Sequence, residues 1–321
     1  MIETIQPGRS LTVAQAAADV VVEQARELKR HGRLAKGGRD PEGVHQMRVA
    51  TRRLRAALRV FKGRLEVPEP VRQALRRLAR RLGAVRDRDV LLTLVREHHL
   101  PQLTGQERAR LGRIVGDWRD ERAAGQKRLG RELARRRHAK LLKALVRWAE
   151  ATGPEGPADP AADVLAEAVE SQAVALARHG GITEAAPSPE DLHGLRIGFK
   201  RLRYTLDIHA AACGLGYDVE RRLARRMQDV LGEIHDRDLL LDRLAAGKGL
   251  YRGPWPGLHP RLAHERQALV RRFLRLRGEW IRRTREPVLE DDPARFVSLQ
   301  PARVQLRLVG GTKHVASAMV R

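Results

Sequence analysis

The sequence predicts an all-α protein made of a duplicated helical unit. From residue 10 to about 287 apolar residues recur at intervals of three and four, with Ala, Leu and Arg dominant, whereas strands would need alternation or short β-branched runs. Helix breakers then divide this stretch into segments of helical length. Finally, two blocks of sequence recur in the same order about 148 residues apart.

The breakers are Gly37, Gly38 and Pro41, then Pro68 and Pro70, Pro101, the stretch Gly153 to Pro160, Pro187 and Pro189, Gly214 and Gly216, and Gly253 to Pro260. They place helices at about 10–37, 42–63, 69–85, 88–99 and 104–150 in the first half. In the second half they place them at about 161–180, 189–212, 217–234, 237–246 and 258–286. Gly83 and Gly232 read as helix-terminating glycines, because no Gly-rich run accompanies them to cradle a phosphate. From residue 288 the chain reads as a tail to 321, with RVQLRLV a weak strand signal.

The repeat is explicit. VHQMRVATRRLRAALRVF (44–61) lies over LHGLRIGFKRLRYTLDIH (192–209), and LRRLARRLGAVRDRDVL (75–91) over ARRMQDVLGEIHDRDLL (224–240). Two ordered blocks with a one-residue change of register indicate duplication. The predicted organisation is a first repeat over 1–151, a linker over 152–160, a second repeat over 161–287 and the tail over 288–321.

Charge narrows the class of partner. There are 63 basic and 39 acidic residues among 321, a formal charge of +24, so the surface attracts polyanions. Four Trp, three Tyr and four Phe are few for a protein that reads bases by stacking. One cysteine, Cys213, excludes a disulfide framework and a Cys-based zinc site, and fits a small apolar residue in a reducing compartment. Apolar runs of membrane-spanning length and a secretory signal pattern are both absent, which predicts a soluble, cytoplasmic chain without a membrane partner.

The placement of the arginines matters more than their number. His45, Arg48, Arg52, Arg55 and Arg59 are spaced three, four, three, four and share an arc of about 80° on one helix. Val44, Met47, Thr51, Leu54 and Leu58 each precede one of them and form a parallel apolar stripe, so the basic stripe adjoins a buried face. The second copy repeats the design with His193, Arg196, Lys200 and Arg203 until Asp207 ends the stripe one turn early. Solvated faces usually mix charges of both signs at spacing four, whereas like charges a turn apart repel by a few tenths of a kcal/mol, roughly, per pair. A stripe of one sign therefore makes better sense with an anion to neutralise it. Arg72 and Arg76, matched by Arg221 and Arg225, would supply the second wall of a groove.

A metal reading of the two histidines fails on electrostatics: a divalent cation among Arg48, Arg52, Arg196 and Lys200 would meet several positive charges and no carboxylate within either stripe. Beside a polyanion each imidazole would favour its charged form, with both nitrogens as donors. Asp87 with Asp89 and Asp236 with Asp238 resemble a metal-binding D-x-D, but residues two apart on a helix point about 200° apart. They read first as caps of the following helix, second as inward carboxylates that orient groove arginines, and third as metal ligands.

At these residues the sequence resembles a known family. H-x-M-R-V-x-x-R-R-L-R followed by L-G-x-x-R-D-x-D-V looks like the CHAD domain, the conserved-histidine α-helical domain, and H-x-L-R-I-x-x-K-R-L-R-Y resembles its second repeat. The resemblance covers about residues 10–287. It implies two helical bundles related by a pseudo-twofold axis, with the basic stripes facing each other across a central channel. It further implies non-catalytic binding of inorganic polyphosphate and association with polyphosphate granules, without a cofactor. Carried over by position, the binding residues would be His45, Arg48, Arg52, Arg55, Arg76, His193, Arg196, Lys200, Arg203 and Arg225. Asp207 and His209 depart from the family's continuation of the second helix. With the repeat beginning by residue 10, the resemblance implies a stand-alone domain with no catalytic tunnel domain upstream. Two other functions compete: nonspecific binding of nucleic-acid backbone as a polyanion, and phosphate-ester or anhydride hydrolysis using the two histidines.

Overall fold

The computed structural model describes residues 11–134, 136–178, 187–214, 216–245 and 253–285. Among them are nine α-helices and no strand. In the first half these are α1 (Val13–Gly37), α2 (Pro41–Val60), α3 (Glu69–Leu94), α4 (Gly105–Ala134) and α5 (Arg136–Glu155). In the second they are α6 (Ala161–Arg178), α7 (Pro189–Cys213), α8 (Asp218–Ala245) and α9 (Leu258–Arg285). The predicted tail and its RVQLRLV segment lie outside the described residues.

Local chemistry sets the starts of the helices that carry the basic stripes. Asp40 caps α2 by accepting from the Glu42 amide at 2.8 Å, with Pro41 at the first helical position. Ser188 caps α7 by accepting from the Asp191 amide at 3.1 Å, again followed by a proline. Gly38 ends α1 at φ 67°, and a Cβ there would overlap Gln126, so the turn into α2 needs glycine on both counts.

Two predicted helix breaks are corrected. The break predicted between 69–85 and 88–99 is absent, since α3 runs through it to Leu94 before a π-helical turn over Val95–His99, and the break predicted between 217–234 and 237–246 is absent, since α8 runs through it to Ala245. Gly83 and Gly232 therefore sit inside helices and do not end them. An internal glycine costs about 1 kcal/mol against Ala, which burial of Leu82 and Val85, or of Leu231 and Ile234, outweighs. The helix predicted over 104–150 corresponds to α4 and α5, which lie on either side of residue 135. Both run along α1 in one antiparallel direction, with Gly130 beside Lys36, His138 beside Gly32 and Gly153 beside Ala18, so Leu129, Leu141, Leu145 and Ala149 join one buried cluster with Leu28, Met47, Leu54 and Leu82. α5 also runs to Glu155, into the predicted linker.

The second half builds its own cluster from Val169, Leu176, Leu195, Leu202, Met227 and Leu231, which are the counterparts, 148 or 149 residues on, of Val21, Leu28, Met47, Leu54, Leu78 and Leu82. The duplication thus extends into α1 and α6. It also extends into α4 and α9. Arg122 bonds Asp89 at 2.9 Å and Arg88 pairs with Glu121, while Arg266 with Asp238 and Arg237 with Glu265 repeat both links 144 to 149 residues later. Two further clusters join the halves. One packs Ala56, Ala57 and Phe61 against Leu165, Tyr204 and Ile208; the other packs Leu91, Ile114 and Trp118 against Leu240, Leu244 and Leu262. No helix among the described residues is long and apolar enough to cross a membrane.

Candidate functional site: a cationic cavity between the repeats

α2 and α7 pack against each other, and α3 closes one side of the space between them. The result is a cavity of about 740 Å³. α2 contributes Arg48, Arg52, Arg55 and Arg59 to its wall, α3 contributes Arg76 and Arg80, and α7 contributes Lys200 and Arg201. Against these eight cations the wall carries one carboxylate, Asp87. Small residues make the room: Ala56, Ala79, Gly83 and Ala84 lie between the charged groups.

Like-charge crowding shows in the electrostatics. Burial, then Arg196, Arg52 and Arg48, lowers Lys200 to about 7, with Asp87 a partial offset. Burial is also the largest cause lowering Arg52, followed among the cations by Arg48, Arg203 and Arg196. Arg55 is lowered by burial and then by Arg76 and Arg80, and Arg59 by burial and then by Arg201 and Arg55. Cations from both halves therefore share one field. Two donors of the wall, Arg52 Nε and Tyr204 Oη, are buried with no hydrogen-bond partner among the described residues. Buried polar groups are ordinarily bonded, so these two fit an anion placed in the cavity.

Asp87 is not a cap. It sits inside α3, and its Oδ1 accepts from Arg48 Nη2 at 3.2 Å, which is the orienting role. Asp89 faces the other way, onto Arg122, and Asp238 onto Arg266. Asp236 is half-buried near Arg196, and desolvation pushes its carboxyl up to about 6 despite that guanidinium. Helix continuity through Gly83 and Gly232 explains why capping does not occur. Among the described residues no group of three or more His, Cys, Asp or Glu converges as a metal site.

Gly83 has a specific task. A Cβ there would stand 2.7 Å from Arg48 Nη1, so glycine lets the guanidinium cross α3 to reach Asp87. Gly83→Ala is expected to hold or raise stability, by about 0.5–1 kcal/mol from helix propensity. The displaced guanidinium should weaken anion binding about five- to tenfold, for the loss of one charged contact of about 1–1.5 kcal/mol. Thermal melting and anion titration of the same variant check both halves of this expectation.

The other residues singled out in the sequence are placed as follows. Arg196 is half-buried beside Arg48, Asp87 and Asp236, just off the cavity wall. His45 is half-buried at the N-terminal end of the α2 stripe, also off the wall, and burial followed by Arg86 lowers it. His193 is exposed, with its ring centroid 5.2 Å from that of His235. His235 is the counterpart of Arg86 and is lowered to about 4 by burial, then by Arg196, His193 and Lys200. Arg72 shares Glu69 with Arg76 but stays off the wall. Arg221 pairs with Asp218, Arg225 is exposed on α8, and Arg203 bonds Asp207 and Gln228; none of the three lines the cavity.

Two wall cations escaped the sequence reading. Arg80 shares a face of α3 with Arg76, Gly83 and Asp87 at spacing four, three, four, a signal that was present. Arg201 follows Lys200 on the face that also carries Ile197 and Tyr204.

Comparison with known proteins agrees with this architecture. Residues 19–245 match the family model of the CHAD domain. A curated relative, "Uncharacterized protein MT2285" of Mycobacterium tuberculosis (strain CDC 1551 / Oshkosh), is 32% identical over 205 residues, which is 61% of this chain. The chain spans 38% of that relative's length. The crystal structure of the CHAD domain from the plant Ricinus communis superposes with a TM-score of 0.63 at 22% identity, over 88% of this chain and 96% of that one. PptA from Streptomyces chartreusis superposes with a TM-score of 0.54 at 19% identity, over 85% and 99%. With the family model matching more than half of its length and its helices following a solved CHAD structure, the chain belongs to the CHAD domain family.

Proposed function

We propose that the chain binds inorganic polyphosphate without catalysis, in the cavity between α2, α3 and α7, and that it associates with polyphosphate granules in the cytoplasm. The observation that carries this reading is a wall of eight cations facing one carboxylate, with the buried donors Arg52 Nε and Tyr204 Oη unpartnered among the described residues. Arginine suits the task because its planar fork grips phosphate oxygens in pairs. Membership of the CHAD family supports the same ligand.

Nucleic-acid backbone is the competing polyanion, and the cavity disfavours it. Its one aromatic ring, Tyr204, is 3% exposed and is covered by the guanidinium groups of Arg203 at 4.2 Å and Arg52 at 5.8 Å, so it offers no stacking platform for a base. Hydrolysis would need His45 and His193 at the ligand, and both stand off the wall.

Salt and pH test the reading together. Neutralised phosphates release counterions, so the logarithm of the affinity should fall linearly with that of salt, as it does for duplex DNA with a slope of about −0.9 per phosphate. Lys200 adds a pH term. Burial and its cationic neighbours hold it near 7 in the free protein, and a bound polyanion raises that value, so the complex holds more protons than the free protein above pH 7. Affinity should be full below about pH 7 and decline as pH rises through the higher bound-state value. Lys200→Arg, charged throughout, should bind with a flat profile over that range. Affinity indifferent to salt would remove the cavity as the binding site.

A further inference from the structure

The cavity takes no wall residue from α8, although α8 is the duplicate of α3. Its would-be mirror image in the second half has been rebuilt. Where the first half has Arg55, Arg59, Arg76, Arg80 and Ala84, the second has Arg203, Asp207, Arg225, Asp229 and Glu233. Four cations and a small residue have become two cations and three acids. Two small residues have become large as well, Ala56 giving way to Tyr204 and Ala79 to Gln228.

The replacements are joined to one another. Arg203 Nη1 donates to Asp207 Oδ2 at 2.8 Å, its Nε donates to Gln228 Oε1 at 2.9 Å, and its guanidinium lies over the Tyr204 ring. The Arg203 side chain is 16% exposed. Its first-half counterpart, Arg55, has instead Arg76 and Arg80 as charged neighbours, with no acid among the causes that shift it. One cation of the duplicated pair is thus neutralised inside the protein, while the other is held where an anion would neutralise it.

We infer that Arg203, Tyr204, Asp207 and Gln228 form a plug that shuts the second half's groove to anions, so that a linear polyphosphate is gripped by α2, α3 and the adjoining edge of α7 alone. The inference rests on the polyphosphate reading and deepens it: the site is one-sided, and a short run of phosphates along roughly 17 Å of α2, from Arg48 to Arg59, saturates it. Phosphates of a longer chain beyond that run meet Asp229 and Glu233 on α8 and gain nothing there.

Matched substitutions at duplicated positions test this, read as affinity for long polyphosphate and its salt slope. Arg76→Ala should weaken binding about fivefold and flatten the slope by about one phosphate, whereas Arg225→Ala, its counterpart, should change neither by more than about twofold. Asp229→Arg, on the exposed face of α8, should tighten long polyphosphate but leave tripolyphosphate unchanged. Asp207→Arg with Asp229→Arg should add to that gain, and a melting curve shows whether this double variant is folded; Asp229→Arg alone carries the test if it is not. Equal losses from Arg76→Ala and Arg225→Ala, or no gain from Asp229→Arg, would overturn the one-sided site and leave the polyphosphate reading standing. Absence of salt-dependent polyphosphate binding in the unmodified protein would sink that reading instead.

Discussion

Arg52→Glu combined with Lys200→Glu is expected to reduce polyphosphate affinity about a thousandfold while the melting temperature holds or rises. Both side chains face the cavity from opposite halves, in the field of Arg48 and Arg196. Each hydrogen bond between a charged donor and phosphate contributes about 1.5–3 kcal/mol, so losing two removes roughly 4 kcal/mol, and 1.4 kcal/mol is a factor of ten. The new carboxylates would also repel the ligand. Folding is expected to survive because the substitutions replace repulsion from Arg48 and Arg196 by attraction. Equilibrium titration alongside thermal melting checks both parts, and a loss of binding below tenfold would move the site elsewhere.

Trp118→Ala is expected to destabilise the whole chain by about 3–5 kcal/mol, the cost of emptying a large buried aromatic site, and to do so in a single transition. Trp118 is 1% exposed in the cluster where α3 and α4 meet α8 and α9, and the Arg243 guanidinium from the second half lies 5.4 Å from its ring centroid. Two of the four apolar clusters contain residues of both halves. Removing Trp118 should therefore loosen both halves together despite their separate inner cores. Calorimetry on the variant measures this. Two resolved transitions would mean that each repeat folds independently and that the cavity is a docked interface.

The basic stripes were legible because a helix converts spacing directly into direction: His45 to Arg59 at three and four residues could only form one face, and Met47 and Leu54 said which side was buried. The duplication was legible in α2, α3, α7 and α8 for the same reason. It was hidden in α4 and α9, where the retained signal is a Glu–Arg pair in each, Glu121 with Arg122 and Glu265 with Arg266, whose partners across the bundle appear only in three dimensions. Capping comes first among the sequence readings of Asp87 because Gly83 reads as a stop, and only packing shows that Gly83 is a passage for Arg48 and that Asp87 orients it. Nor could spacing show that Arg203 turns to Asp207 and Gln228 while Arg55 faces the cavity.

Competition among polyanions tests the central claim most directly. The purified chain, loaded with labelled long polyphosphate, is titrated with unlabelled polyphosphate, duplex DNA and RNA at equal phosphate concentration and fixed salt, with orthophosphate release followed in the same samples. The account predicts that polyphosphate displaces the label at concentrations at least tenfold below either nucleic acid, and that no orthophosphate appears. Displacement by DNA or RNA at concentrations equal to polyphosphate, or steady release of orthophosphate, would contradict it.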